Sequence, residues 1–163
     1  MKRISILTLA LMLLLNCTAF AANWAWIDSN DKTGFFFDTD TIKYSSYHSV
    51  PSNKIISIKN TICFWEKMVY TSEAANHVAD QTGEEKWRNV AYVVSYVSLD
   101  KEGKYLSVSD STFYNQNGDV IDQSANTSTA RIIPGTMGDS IYQVITNYAK
   151  NNDFLVEWNT THI

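Results

Sequence analysis

The sequence predicts an α+β fold: an antiparallel sheet of about five to seven strands, laid out as a meander, with a C-terminal amphipathic helix packed on one face. Three observations lead there. Residues 90–121 hold three β-rich runs separated by turns too short to cross over to a parallel neighbour. Aliphatic residues near the C-terminus recur at helical spacing. Only six Gly and two Pro occur in 163 residues, with no low-complexity tract and no internal repeat, so the chain is expected to be ordered nearly throughout its mature part.

The elements follow in order. Trp24-Ala25-Trp26-Ile27 and Gly34-Phe35-Phe36-Phe37 flank the polar turn formers Asp28-Ser29-Asn30-Asp31-Lys32-Thr33, which predicts an opening hairpin. Residues 55–65 read as a half-buried strand, with Ile56, Ile58, Ile62 and Phe64 on one face and Ser57, Lys59 and Thr61 on the other. Residues 72–80 read as a short helix with an early Glu73 that suits the helix dipole. The meander runs through 90–99, the turn Asp100-Lys101-Glu102-Gly103, 105–114, the turn Asn115-Gln116-Asn117-Gly118, and Asp119-Val120-Ile121. Pro134 and Gly135 end the extended run, with Thr136, Asp139 or Ser140 available to satisfy helix amides. Ile141, Val144, Ile145, Tyr148 and Ala149 then form the stripe expected to face the sheet. The tail alternates Phe154, Val156 and Trp158 with Leu155, Glu157 and Asn159, which predicts a final short strand or a partner-facing segment.

The N-terminus carries Lys2 and Arg3, an apolar run from Ile4 to Leu15, and Ala19-Phe20-Ala21, the three-part pattern of a cleavable export signal. Residues 1–21 are therefore assigned as a signal peptide and 22–163 as a single domain, large enough to bury a core of its own. The apolar run is shorter than the roughly 20 residues of a membrane-spanning helix, and no transmembrane anchor is expected elsewhere. A lipobox reading of Leu14-Leu15-Asn16-Cys17 would lipidate Cys17, but Asn16 stands where that motif takes Gly, Ala or Ser, so cleavage after Ala21 is favoured. The mature chain keeps 17 acidic residues but loses two basic ones, for a net charge of about −6. Nucleic acid and anionic lipid are excluded as partners by that balance, since both need clustered Lys and Arg. Cleavage also leaves Cys63 as the single thiol, read as a small buried strand residue.

No catalytic constellation emerges. The nucleophile-elbow, zinc-protease, phosphate-loop and dinucleotide patterns are all missing, and no cofactor is implied. His48, His77 and His162 have no ligand or nucleophile close by in sequence and read as surface residues. Asp28, Asn30, Asp31, Asp38 and Asp40 invite comparison with a calcium loop. It fails where Lys32, Thr33 and Thr39 replace the third acidic ligand, the turn glycine and the bidentate Glu, so turn chemistry accounts for them. Trp24, Trp26, Trp65, Trp87 and Trp158 are the residues with most to offer a partner; most are expected in the core and at least one at the surface.

A wider pattern joins these segments. Trp24, then Gly34-Phe35-Phe36-Phe37-Asp38-Thr39-Asp40-Thr41-Ile42, then Phe64-Trp65-Glu66-Lys67, Phe113-Tyr114 before Gly118-Asp119-Val120-Ile121, and Ile132-Ile133-Pro134-Gly135-Thr136 ahead of the last helix resemble the surface-adhesin protein E family over nearly the whole mature chain. The resemblance implies a small envelope or secreted domain of antiparallel sheet and C-terminal helix, some members being homodimeric adhesins for host matrix proteins. Many members pair a cysteine of the central meander with one of the final helix, and both regions lack cysteine here. No ligand-binding residue transfers position by position. The expectation is thus an exported, non-catalytic domain that binds a macromolecular partner, with a hydrolase assembled from dispersed residues and a structural envelope module as alternatives.

Overall fold

The structure, a computed structural model, describes residues 22–162, so the export signal expected over residues 1–21 lies outside the described residues. All eight strands belong to one antiparallel sheet: β1 (Trp24–Ser29), β2 (Thr33–Asp38), β3 (Lys43–Ser49), β4 (Lys54–Tyr70), β5 (Tyr92–Asp100), β6 (Tyr105–Tyr114), β7 (Val120–Ser124) and β8 (Ser128–Arg131). The order is β1-β2-β4-β5-β6-β7, with β3 paired to the first part of β4 and β8 to the first part of β6. Helix α1 (Ser72–Thr82) and a short 3₁₀ turn (Glu85–Asn89) sit between β4 and β5, and α2 (Met137–Asn151) and α3 (Asp153–His162) complete the chain.

The opening hairpin, the β5–β6–β7 meander and the helix after Pro134 lie where the sequence places them. In the first hairpin turn Asn30 Oδ1 accepts from the backbone N–H of Lys32 at 2.8 Å and of Thr33 at 2.9 Å, the short-range side-chain turn that the loop composition predicts. Gly118 takes φ 86° in the second meander turn, where Asn115 Oδ1 accepts from Asn117 and Asp119 N–H. α1 is capped by Thr71, whose hydroxyl accepts from Ala74 N–H.

The core forms where Ile27, Phe37, Ile42, Tyr44, Ile62, Phe64, Val97 and Leu99 of the sheet side meet Ile141, Ile145 and Ala149 of α2 and Val156 of α3. Val144 and Tyr148, the rest of the expected stripe, pack at its margin. Each large aliphatic or aromatic side chain fully buried there contributes roughly 1.5–3 kcal/mol.

Four expectations are corrected. The sheet has eight strands, not five to seven, because β3 and β8 carry no apolar alternation and are held by pairing to β4 and β6. The tail is a helix rather than a strand: its buried residues, Val156, Asn159 and Thr160, follow helical spacing, but two are polar and hide the period from a hydrophobicity pattern. The helix expected over 72–80 continues to Thr82 and ends at Gly83 with φ 73°.

The fourth concerns Ile56, Ile58, Ile62 and Phe64, which do not share a face. An irregularity opposite Tyr44 and Ser45 sets the four steps from Ile58 to Ile62 of β4 against one step of β3, and the side-chain alternation inverts across it. Ile62 and Phe64 enter the core, whereas on the far side Ser57 and Lys59 reach α3 and Ile56 and Ile58 turn outward with 37% and 41% exposure.

Candidate partner-binding surface

Helix α3 is latched to the sheet by polar groups. Asn159, buried, donates from Nδ2 to the carbonyls of Asp40 at 3.1 Å and Ile42 at 3.0 Å. The Thr160 hydroxyl accepts from Tyr44 N–H at 2.9 Å and donates to the Val156 carbonyl at 2.7 Å. At the start of the helix Asp153 accepts from the Tyr44 hydroxyl at 2.6 Å and from Lys59 Nζ at 2.9 Å, and Glu157 accepts from the Ser57 hydroxyl at 2.6 Å. The Tyr44 hydroxyl and then Lys59 hold the Asp153 carboxyl below its ordinary range, while burial and Asp153 push the Tyr44 phenol up.

With that face occupied, the opposite face of α3 presents Phe154, Trp158 and His162 at i, i+4 and i+8, flanked by Leu155. Phe154 is 82% exposed and Trp158 52%. The His162 ring stacks on the Trp158 indole with centroids 3.8 Å apart and planes 7° from parallel, and its Nδ1 lies 2.9 Å from the Trp158 carbonyl. The stripe is thus a preformed set of rings on a helix that cannot turn it inward.

A second aromatic surface lies on the sheet face opposite α2 and α3. Because Phe64 points into the core, Trp65 and Lys67 point away from it, and register brings Tyr96 opposite Trp65 and Tyr114 opposite Tyr92. Tyr92 and Tyr114 stack at 4.8 Å, and Trp65 meets Tyr96 edge-on at 5.4 Å. Lys67 Nζ rests 4.3 Å from the Tyr92 ring centroid and 5.8 Å from that of Trp24. A hollow of about 300 Å³ opens among Ala22, Trp24, Asp38, Trp65, Val94 and Tyr114. Trp26, 54% exposed, packs edge-on against Phe36 farther along this face.

The remaining candidates are dispersed. His48 on β3, His77 on α1 and His162 on α3 are on separate elements. Asp28 accepts from Ser29 N–H, and the Ser140 hydroxyl followed by that amide holds its carboxyl low. Cys63 is buried in β4, and burial pushes its thiol up. Trp87 packs edge-on against Phe113 at 5.0 Å. A cleft of about 750 Å³ lies among Tyr70, Ser72, Lys86, Arg88 and Asn115, with no carboxylate in its wall. Its two cations are already paired, Lys86 with Glu84 and Asp122, and Arg88 with Glu85 and Asp80.

Against the expectation that most would be core residues, none of the five tryptophans is buried: Trp26 and Trp158 are exposed, and the half-buried Trp24 and Trp65 flank the hollow. Tyr92 and Tyr96 carry no site signal in the sequence; Lys67 and Tyr114 enter only through the family resemblance, and Phe154 only through the alternating tail read as a strand or a partner-facing segment. The alternation Trp65–Lys67 and Tyr92–Val94–Tyr96 marks one face of each strand, but alternation alone does not tell which face the helices cover.

No family model matches the chain, and no curated protein is significantly similar to it in sequence. Among solved structures it is similar to protein E from non-typeable Haemophilus influenzae, at 12% identity and a TM-score of 0.43 over 80% of this chain and 84% of that one. A second structure of Haemophilus influenzae protein E gives 14% identity and a TM-score of 0.39 over 76% of this chain and 91% of that one. Both are structures of protein E, at identities and TM-scores that carry no argument.

Proposed function

We propose that this is an exported, non-catalytic domain that works by binding a macromolecule at the cell surface or in the envelope, with the outward stripe of α3 as its contact. One observation carries the reading. Phe154, Leu155 and Trp158 stand in solvent on a helix whose other face is locked to the sheet through the hydrogen-bonded side chains of Asp153, Glu157, Asn159 and Thr160. Contiguous exposed rings of this kind lower stability or solubility unless something covers them, and large rigid aromatics are the usual anchors of interfaces. Among the described residues no helix is long and apolar enough to cross a membrane.

The test is capture of defined host-matrix and envelope components by the purified exported protein, alongside its Phe154→Ala and Trp158→Ala variants. Each substitution is expected to weaken capture by more than about 1 kcal/mol, at least fivefold, with an unchanged melting curve. Self-association lost in the same variants would identify a second copy as the partner. Capture indifferent to both substitutions, or turnover of a peptidase, glycosidase, esterase or phosphatase substrate abolished by one carboxylate, histidine or serine change, would overturn the reading.

A further inference from the structure

The hollow beside β1 is lined by the carboxylate of Asp38, one oxygen of which has no hydrogen-bond partner among the described residues. Asp38 is 4% exposed, and its Oδ1 accepts from the N–H of Asn23 and of Asp40, both at 3.1 Å. Those two bonds close a turn and tie the start of β1 to the end of β2, but both use the same oxygen. Oδ2 accepts no hydrogen bond and no Lys or Arg comes within ion-pair distance among the described residues. Lys67, on the same face, is engaged with the Tyr92 ring instead. A carboxylate with one oxygen free toward a hollow has a place for a positive partner, and a charge-assisted hydrogen bond there is a strong one.

The walls around it favour a cation. Trp24, Trp65 and Tyr114 surround the hollow, and the faces of such rings attract ammonium groups. Ala22 lies in the same wall, one residue before Asn23, whose N–H already touches the carboxylate. In the uncleaved chain the Ala22 nitrogen is a neutral amide. Hydrolysis of the Ala21–Ala22 peptide bond by an export protease consumes one water, leaves a carboxylate on Ala21, and frees an α-amine on Ala22 that takes up a proton at neutral pH.

We propose that this hollow is an ammonium site filled by the chain's own N-terminus: cleavage after Ala21 creates the α-ammonium of Ala22, which pairs with Asp38 within the ring formed by Trp24, Trp65 and Tyr114. The proposal rests on the export reading above. Cleavage then does more than release the protein. It gives Asp38 an ionic partner and fastens β1, an edge strand, to the sheet.

The test uses the full chain exported through its own leader, with mass spectrometry to fix the first residue. Two measurements follow: the titration of the α-amine by NMR, and its rate of acylation by a small amine reagent. In the exported protein the α-amine is expected to titrate above its ordinary range of roughly 7.7–8.0 and to react at least about tenfold more slowly than in a variant with Gly-Ser inserted between Ala21 and Ala22, which carries the charge out of the hollow. Asp38→Asn keeps an oxygen for both backbone amides and is expected to restore ordinary titration and reactivity; should it fail to fold, the insertion variant alone decides. An Ala22 start with an α-amine as reactive as in the insertion variant overturns the proposal and leaves export standing. A start elsewhere overturns the export reading and removes the source of the ammonium.

Discussion

Replacing Glu66 by glutamine should make the protein more stable, and increasingly so as pH rises. Glu66 lies on the Phe64 face of β4, opposite Ser95, whose hydroxyl is engaged with that of Ser111 at 2.8 Å. Its Oε1 is buried without a partner, and burial raises the carboxyl from an ordinary 4.5 to about 7. A carboxyl raised in the folded state holds its proton there while the unfolded chain has already released it, so between pH 4.5 and about 7 the folded state binds more protons. Stability therefore falls as pH climbs through that window, and the loss is complete above it. At about 1.4 kcal/mol for each tenfold change in ionisation constant, the shift corresponds to about 3 kcal/mol. The Glu66→Gln side chain has no proton to lose, so the variant should match the parent near pH 4 and exceed it by up to about 3 kcal/mol at pH 8, roughly 10 °C in melting temperature. Urea unfolding followed by tryptophan fluorescence from pH 4 to 8.5 measures it. Parallel profiles for the two proteins would show that Glu66 reaches water in the folded state, and the reasoning would fail.

Two further predictions rest on the helices. Ile145→Asp places a carboxylate where the side chain is wholly buried against the sheet and should cost several kcal/mol, enough to unfold a domain of ordinary stability; a circular-dichroism melt like the parent's would mean that α2 does not pack as described. Tyr44→Phe removes the first of the groups that hold the Asp153 carboxyl low. Because a depressed carboxyl stabilises the fold above its unfolded value of 3.8 and loses that contribution as pH falls through its folded value, the variant should begin acid unfolding at a higher pH, and an unchanged acid limb would refute the coupling.

What could be read from the sequence was what local chemistry decides. The β5–β7 meander shows itself because its runs are rich in β-formers and because Asn115 and Gly118 close a turn that needs no distant partner. α2 shows itself because its buried positions are all apolar. β3 and β8 exist only through strands far away in sequence, and α3 is held by Asn159 and Thr160, whose burial depends on carbonyls and amides of residues 40–44. The candidate surface was half legible. Trp158 and Trp26 were among the aromatics considered, but which rings meet solvent depends on where the helices lie, and a period-two pattern is the same for either face. The inversion in β4 is the plainest case, since an unbroken alternation in sequence crosses an unequal step in the ladder.

That inversion also bears on how the molecule opens. On the Ile62 side β4 is flanked by β5 and sealed by the core, so its amides should be among the slowest to exchange with solvent. On the Ile58 side it has β3 as neighbour, and the hairpin is held down by Ser57 and Lys59 gripping α3. The hairpin tip is thus tied to the C-terminal helix by polar side chains, while the helix itself is anchored in the core by Val156. A partner seated on the proposed contact of α3 would therefore be felt at the hairpin tip through Ser57 and Lys59, and slower exchange of the tip's amides on capture would report it.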